Sequence, residues 1–409
     1  MNSTMIHKLQ QALNLYSEMG PHKAASHLKI APSTLKSRVD AALREGMSPK
    51  TDRLSPEQAV ESENKQLRIK LGDMSKQIES LRDRLLNEDK IKEVILGIKD
   101  RIPNPPVWTS KAGKPGAPGI PMTIWSDFHW GEVVDKSQVY GVNSYNMSIA
   151  KQRLHTLVDK TIGICFDHMV NPNYPGIVLM LGGDMVSGDI HEELEITNEA
   201  PSGPVLVDLL ENLIAGIDKL ADKFGKVWVV GVAGNHGRTN KKPRFKNRQY
   251  TNYDWIIYQL LRTHYKKSKN IEFLIPDGAD ALFSVYGTKF LLTHGDNLGV
   301  RGGDGIIGII GPVMRGDFKI RNAQSSIGMP YDVLVLGHWH TYFPTPKIII
   351  NGSLKGFDEY AHLSLRAKPE RPVQALWFVH PENGITTHWP IFCDLQGATK
   401  NEKQEFHAL

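Results

Sequence analysis

The sequence predicts an α/β protein of four layers, with two sheets face to face and helices outside. A small all-α domain and a long charged helix come before it. Three observations carry this expectation. From Ile120 onward, apolar strand-like runs alternate with amphipathic helical stretches near 147–169, 203–224 and 250–267, then give way to a strand-rich second half. Five of those runs end in short polar motifs: Asp127-Phe128-His129, Gly182-Gly183-Asp184, Gly234-Asn235-His236, Thr293-His294-Gly295-Asp296 and Gly337-His338-Trp339-His340. In open α/β sheets, ligands gather beyond the carboxyl ends of the strands, where these motifs fall. Finally, a charged, glycine-poor stretch at 55–100 meets a run rich in Pro and Gly at 101–119, which marks a domain boundary.

The first fifty residues read as compact and helical. Ile6, Leu9, Leu13 and Tyr16 recur at helical spacing until Gly20-Pro21 stops the helix. Ala24, Ala25 and Leu28 turn a second short helix inward. Ser33 or Thr34 is the expected N-cap of a third, with Leu35 and Val39 facing in. Helix, tight turn, helix is the helix-turn-helix pattern. The segment resembles DNA-binding modules of that type, and the resemblance implies that Ser33, Thr34, Lys36, Ser37 and Arg38 face a major groove or its phosphates.

Between 55 and 100, Val60, Asn64, Leu67, Leu71, Met74, Ile78, Leu81 and Leu85 alternate at spacings of four and three. So narrow a stripe covers a globular core poorly, and it predicts a coiled coil with a second copy of the chain, hence a homodimer. Asn64 at a core position favours a parallel two-stranded register. The linker at 101–119 is expected to be an extended spacer from which Trp108 docks on the domain that follows. Further strands are expected at 271–275, 281–285, 347–350 and 374–379 of the domain at 120–395.

Composition sets only broad limits. A chain of 409 residues with a net charge of +5 is mildly basic, so attraction to polyanions must come from local patches. Cys165 and Cys393 stand far apart, which excludes a disulfide framework or cysteine zinc cluster. The first residues lack a signal-peptide pattern, and no apolar run approaches the roughly 20 residues of a membrane helix. These features predict a reduced, cytoplasmic protein with no membrane partner.

The chemistry lies in the five motifs together. Asp127, Asp184, Asn235 and four histidines can converge on two divalent cations, leaving His236 over. Mixed imidazole and carboxylate donors suit Mn²⁺, the first expectation here, or Fe, Zn²⁺ or Co²⁺, rather than an all-oxygen Mg²⁺ or Ca²⁺ site. Two cations bridged by a carboxylate can generate hydroxide near neutral pH for in-line attack on phosphorus.

Over about 120–395, the motif series resembles the calcineurin-like metallophosphoesterase superfamily, whose pattern runs D-x-H, G-D, G-N-H-[D/E], H, G-H-x-H. The resemblance implies one metal on Asp127, His129, Asp184 and His340. It implies a second on Asp184, Asn235, His294 and His338, with Asp184 bridging and His236 as the catalytic histidine. Two positions depart from the family. Gly237 and Arg238 stand where an acid usually orients the histidine, leaving Asp189, Glu192 and Glu193 as candidate partners. Ser187 stands where the superfamily's DNA-repair nucleases often place a second histidine, with His191 nearby.

Substrate clues lie just beyond His236. Arg238, Lys241, Lys242, Arg244, Lys246 and Arg248, interleaved with Phe245 and Tyr250, suit a phosphate backbone and a stacked base. Arg301 with Gly302-Gly303 reads as a second phosphate-facing loop, and Asn351-Gly352-Ser353, which resembles a tail signature of the same superfamily near the site, mainly as a tight turn. The leading expectation is a metal-dependent phosphodiesterase or nuclease acting on DNA. The alternatives are a phosphomonoesterase or cyclic-nucleotide phosphodiesterase, and a DNA-binding adaptor with a silent phosphoesterase domain. The pairing of helix-turn-helix, coiled coil and phosphoesterase also resembles proteins carried by tailed bacteriophages.

Overall fold

The computed structural model describes residues 3–49, 105–111, 117–299, 308 and 310–394. The stretch at 55–100 expected to form a coiled coil, much of the linker, and Arg301 with Gly302-Gly303 lie outside these residues. The chain divides into two compact units, Met1–Asp89 and Lys90–Leu409.

In the first unit, α1 spans Ser3–His27 and α2 spans Pro32–Arg44. Gly20, at φ 80 and ψ 170, breaks α1 at the Gly-Pro pair, because Pro21 lacks the N–H that would continue the ladder. Leu9, Leu13, Ala24, Ala25, Leu35 and Val39 form the core, while Ile6 and Tyr16 remain at the surface. The expected cap is corrected. Ala31 is the N-cap and makes no side-chain bond; Pro32 opens α2 ahead of Ser33 and Thr34, since its fixed φ suits a first helical turn that needs no N–H.

In the second unit, six strands form one sheet in the order β11-β10-β1-β2-β3-β4. They are β1 (Ile120–Trp125), β2 (Ile177–Leu181), β3 (Val227–Gly231), β4 (Ile271–Leu274), β10 (Val373–His380) and β11 (Gly384–Phe392). From β1 to β4 the neighbours pair in parallel, and β10 and β11 add on antiparallel. The second sheet, ordered β5-β6-β7-β9-β8, holds β5 (Ala281–Val285), β6 (Thr288–Thr293), β7 (Val333–Leu336), β8 (Phe343–Pro344) and β9 (Ile348–Ile350).

The period of two in side-chain direction makes the layers. Met122, Ile124, Val178, Met180, Val230 and Trp377 point from the first sheet into one core with Phe283, Phe290, Leu292, Val335 and Ile349 of the second. Their neighbours Leu179, Leu181, Val229 and Phe378 point the other way. They meet α3 (Met147–Asp167), α5 (Ser202–Phe224) and α6 (Tyr253–His264). Leu334, Leu336, Ile348 and Ile350 cover the far face of the second sheet together with Val313 of α7 (Ile310–Ser326). Helix, sheet, sheet, helix is the expected order of layers. Short helices α4 (Glu192–Thr197) and α8 (Glu359–Leu363) lie in the loops.

The linker is not wholly irregular. Val107–Thr109 forms a 3₁₀ turn, and Trp108 is buried beside Ile120, Met122 and Trp228. Gly176 makes room for it, because a Cβ there would lie 2.8 Å from the indole.

Candidate metal centre

All five motifs leave the carboxyl ends of strands in the two facing sheets, so the sandwich brings them together at one rim. The turns are tight. Asp127 (φ 56), His129 (φ 49), Asp184 (φ 51), His338 (φ 67) and His340 (φ 50) all adopt left-handed backbone. Each such residue costs about 1–3 kcal/mol, a strain that collects at functional sites. Backbone bonds hold the turns. The Asp127 N–H donates to Gly183 O at 3.0 Å, His129 N–H to Asp184 O at 3.0 Å, and Gly337 N–H to His294 O at 3.0 Å. Two glycines are dictated by contact: a Cβ on Gly234 would lie 2.1 Å from Asp184 Oδ1, and one on Gly337 2.3 Å from Asp127 Oδ2.

The ligand side chains fall into two groups, Asp127 with His129 and His340, and Asp184 with His294 and His338. Within each group the ligand atoms lie within 4.8 Å of one another. The donor chemistry fits cations. Two imidazole nitrogens, His129 Nε2 and His340 Nε2, face each other at 3.1 Å, with Asp127 Oδ1 3.4 Å from the latter. In the second group His294 Nδ1 lies 2.8 Å from Gly182 O, so that nitrogen carries the proton. In the neutral, ligating form its Nε2 therefore turns a lone pair toward Asp184 Oδ2 at 2.9 Å and Asn235 Oδ1 at 3.1 Å. Converging lone pairs repel unless a cation lies among them, and a divalent metal satisfies all three.

Without a cation, and against the cost of burial, the adjoining Asp184 carboxylate raises His294 to about 10; a metal bound there would take the place of the proton on Nε2. Burial pushes His129 down to about 4, helped by Lys355, and His338 down to about 4, helped by His294. Neutral imidazoles are the ligating form.

His236 belongs to neither group. Its ring packs edge-on to His129 at 4.6 Å between centroids, and its N–H donates to Asp184 Oδ1 at 2.7 Å. Its side-chain partner is the backbone carbonyl of Ser187, 3.0 Å from Nδ1, and this replaces Asp189, Glu192 and Glu193 as the expected candidates. With Nδ1 donating to a carbonyl, Nε2 is free for chemistry. The His191 ring lies 5.6 Å from that of His236, so it does stand beside the site.

Two supports escaped the sequence reading, and a third was expected mainly in a turn. Asp254, in the first turn of α6, accepts the N–H groups of Asp184 at 2.9 Å, Met185 at 3.1 Å and Gly234 at 2.9 Å, tying two ligand loops to one carboxylate. Burial, with Asp184 close by, raises Asp254 to about 6. Behind His129, Glu132 Oε2 lies 3.3 Å from Nδ1, and among the described residues neither atom has another hydrogen-bond partner. The other Glu132 oxygen pairs with buried Lys355 at 2.8 Å, which also binds Asp358. A carboxylate behind a ligating histidine fixes its tautomer and raises its basicity. Asn351, expected mainly in a turn, is a buried link between the sheets. Its Nδ2 donates to Ser126 Oγ at 2.8 Å and to Gln374 Oε1 at 2.9 Å, and Ser353 Oγ donates to Asp127 O at 2.9 Å. The sole signal for Asp254 was Asn252, whose side chain caps α6 by accepting the Asp254 N–H.

The basic run divides. Arg238 donates to the carbonyls of Asn235, Asn240 and Lys241, and Arg248 forks onto Asp296 with two contacts of 2.9 Å. Lys241 stands 3.7 Å from Glu195. Lys242, Arg244 and Lys246 are exposed and form no ion pair among the described residues.

No protein-family model and no curated protein matches the chain. Among solved structures it is similar to a dimetal phosphatase from Danio rerio, at 9% identity over 68% of this chain and 100% of that one, with a TM-score of 0.30. It is also similar to a putative 5'-nucleotidase from Staphylococcus aureus in complex with alpha-ketoglutarate, at 11% identity, 70% and 57% coverage and a TM-score of 0.30. Likenesses this slight carry no functional weight, which rests instead on the geometry of the site.

Proposed function

We propose that this chain is a dinuclear-metal phosphoesterase that cleaves phosphodiester bonds in nucleic acid, with DNA the expected substrate and Mn²⁺ the expected metal. The observation that carries the reading is the pair of ligand groups, 127/129/340 and 184/294/338, with His236 Nε2 free beside them. Asp127, His129 and His340 would hold one ion, His294, His338 and Asn235 the other, and Asp184 both. Bound there, the ions supply Lewis acidity and acidify water for attack on phosphorus. Asp127 and Asp184 would hold the ions from backbone turns that the Asp254 and Asn351 links brace. His236, held by Ser187 O, presents Nε2, which in the imidazolium form would donate its proton to the departing ester oxygen. Lys242, Arg244 and Lys246 supply the positive surface that draws a phosphate backbone.

The first unit supports a nucleic-acid substrate. Ser33, Thr34 and Lys36 are exposed on α2, with Arg38 half-buried beside them, as a groove-reading helix requires. Pairing of two copies through 55–100 would present two such helices to one duplex. Cytoplasmic placement belongs to the same proposal, and no helix among the described residues is long and apolar enough to cross a membrane.

Labelled single- and double-stranded DNA and a chromogenic aryl phosphodiester, each with Mn²⁺ or with EDTA, test the reading. The expected result is cleavage of DNA and ester with Mn²⁺ and of neither with EDTA. Ester turnover with intact DNA would move the substrate to small phosphoesters. Inactivity toward both with every divalent metal tried would favour the silent adaptor.

A further inference from the structure

A shallow groove opens beside the candidate metal centre, lined by the ligand Asn235 and by Arg238, Arg244, Phe245, Arg248 and Asp296. The loop that forms it is framed at its base. The Thr239 N–H donates to Thr251 O at 2.9 Å, and Arg238 bridges to Asn252. Arg238 and Arg248 spend their donors on carbonyls and on Asp296, so they shape the groove. Arg244 and Phe245 of the lining are exposed. Phe245 is 91% exposed, and Arg244 forms no ion pair among the described residues. An apolar ring held in solvent between cations, next to a phosphoryl-transfer centre, has the two elements that bind a nucleotide: a stacking face and a phosphate partner. The acid of the lining, Asp296, is already neutralised by Arg248, so the groove does not repel an anion.

We infer that this groove is a nucleotide subsite, in which Phe245 stacks on the base next to the scissile phosphate and Arg244 pairs with the adjoining phosphate. The inference rests on the phosphodiesterase reading and specifies its substrate as a nucleic-acid strand with at least one unpaired base. A base has to leave its partner to lie on Phe245, so single-stranded ends and gaps are preferred to uninterrupted duplex.

Two readouts on the full chain separate this inference from the reading beneath it. The first is the ratio of kcat/KM for trithymidylate to that for methyl p-nitrophenyl phosphate, which carries no base. F245A is expected to lower this ratio by about 5- to 100-fold, the scale of losing one base stack, while F245W keeps it within about threefold. R244A is expected to lower the ratio and to flatten its dependence on salt. An unchanged ratio in F245A overturns the inference even if both substrates are cleaved. The second readout is anisotropy of fluorescein-labelled trithymidylate in EDTA, which needs no turnover. Weaker binding by F245A but not F245W supports the subsite, and equal binding by all three proteins contradicts it. An enzyme that cleaves neither substrate defeats the phosphodiesterase reading, and the binding measurement still decides the groove.

Discussion

Asp184→Asn is expected to lower turnover of every phosphoester by about 10³-fold or more while the chain stays folded. The two Asp184 oxygens have separate duties. Oδ1 accepts the His236 N–H at 2.7 Å, and Oδ2 faces the His294 Nε2 lone pair at 2.9 Å. An amide can keep the first contact but must turn its NH₂ toward His294. It then donates to the lone pair that a metal would otherwise engage, and the site loses a negative charge. Losing one Lewis-acid contact worth several kcal/mol corresponds to about that factor in rate. The fold should survive, because the backbone groups of residue 184 that bond Asp254 and His129 are unchanged and the side chain keeps its shape. Steady-state rates alongside circular dichroism check both halves. Activity within tenfold of wild type would remove Asp184 from the centre.

His236→Ala should slow turnover by about 10²–10⁴-fold, the range for an acid–base group, and leave metal content near normal, because His236 belongs to neither ligand group. The backbone N–H that bonds Asp184 remains in the variant. If His236 protonates the leaving oxygen, the loss depends on the leaving group. It should be larger for DNA, whose alkoxide needs a proton, than for an aryl ester whose phenolate leaves unaided. Rates for wild type and variant on both substrates measure this. An equal loss on the two would assign His236 to charge stabilisation instead.

Much of the centre was legible because its parts are local. Each motif is a few residues at the end of an apolar run, so Asp127, His129, Asp184, Asn235, His294, His338 and His340 could be placed before any contact was known. The supports are distant in sequence and follow no motif. Asp254 reaches the ligand loops from 20 and 70 residues away, and Glu132 meets Lys355 across 223. The partner of His236 is a main-chain carbonyl, which no side-chain pattern announces. Two elements were hidden by their breakers. Gly311-Pro312 lies in the first turn of α7, where proline is tolerated, and Pro390 lies in β11, an edge strand that can spare its N–H. The Ser33 and Thr34 caps failed for a similar reason, since Pro32 started the helix first.

The central claim is that two cations share Asp184, and Mn²⁺ titration of the metal-free protein, followed by calorimetry and electron paramagnetic resonance, tests it most directly. Two ions per chain with the exchange-coupled signal of a bridged pair are expected, with loss of that coupling in Asp184→Asn. A single ion per chain, or two ions with uncoupled signals in the wild type, would contradict it.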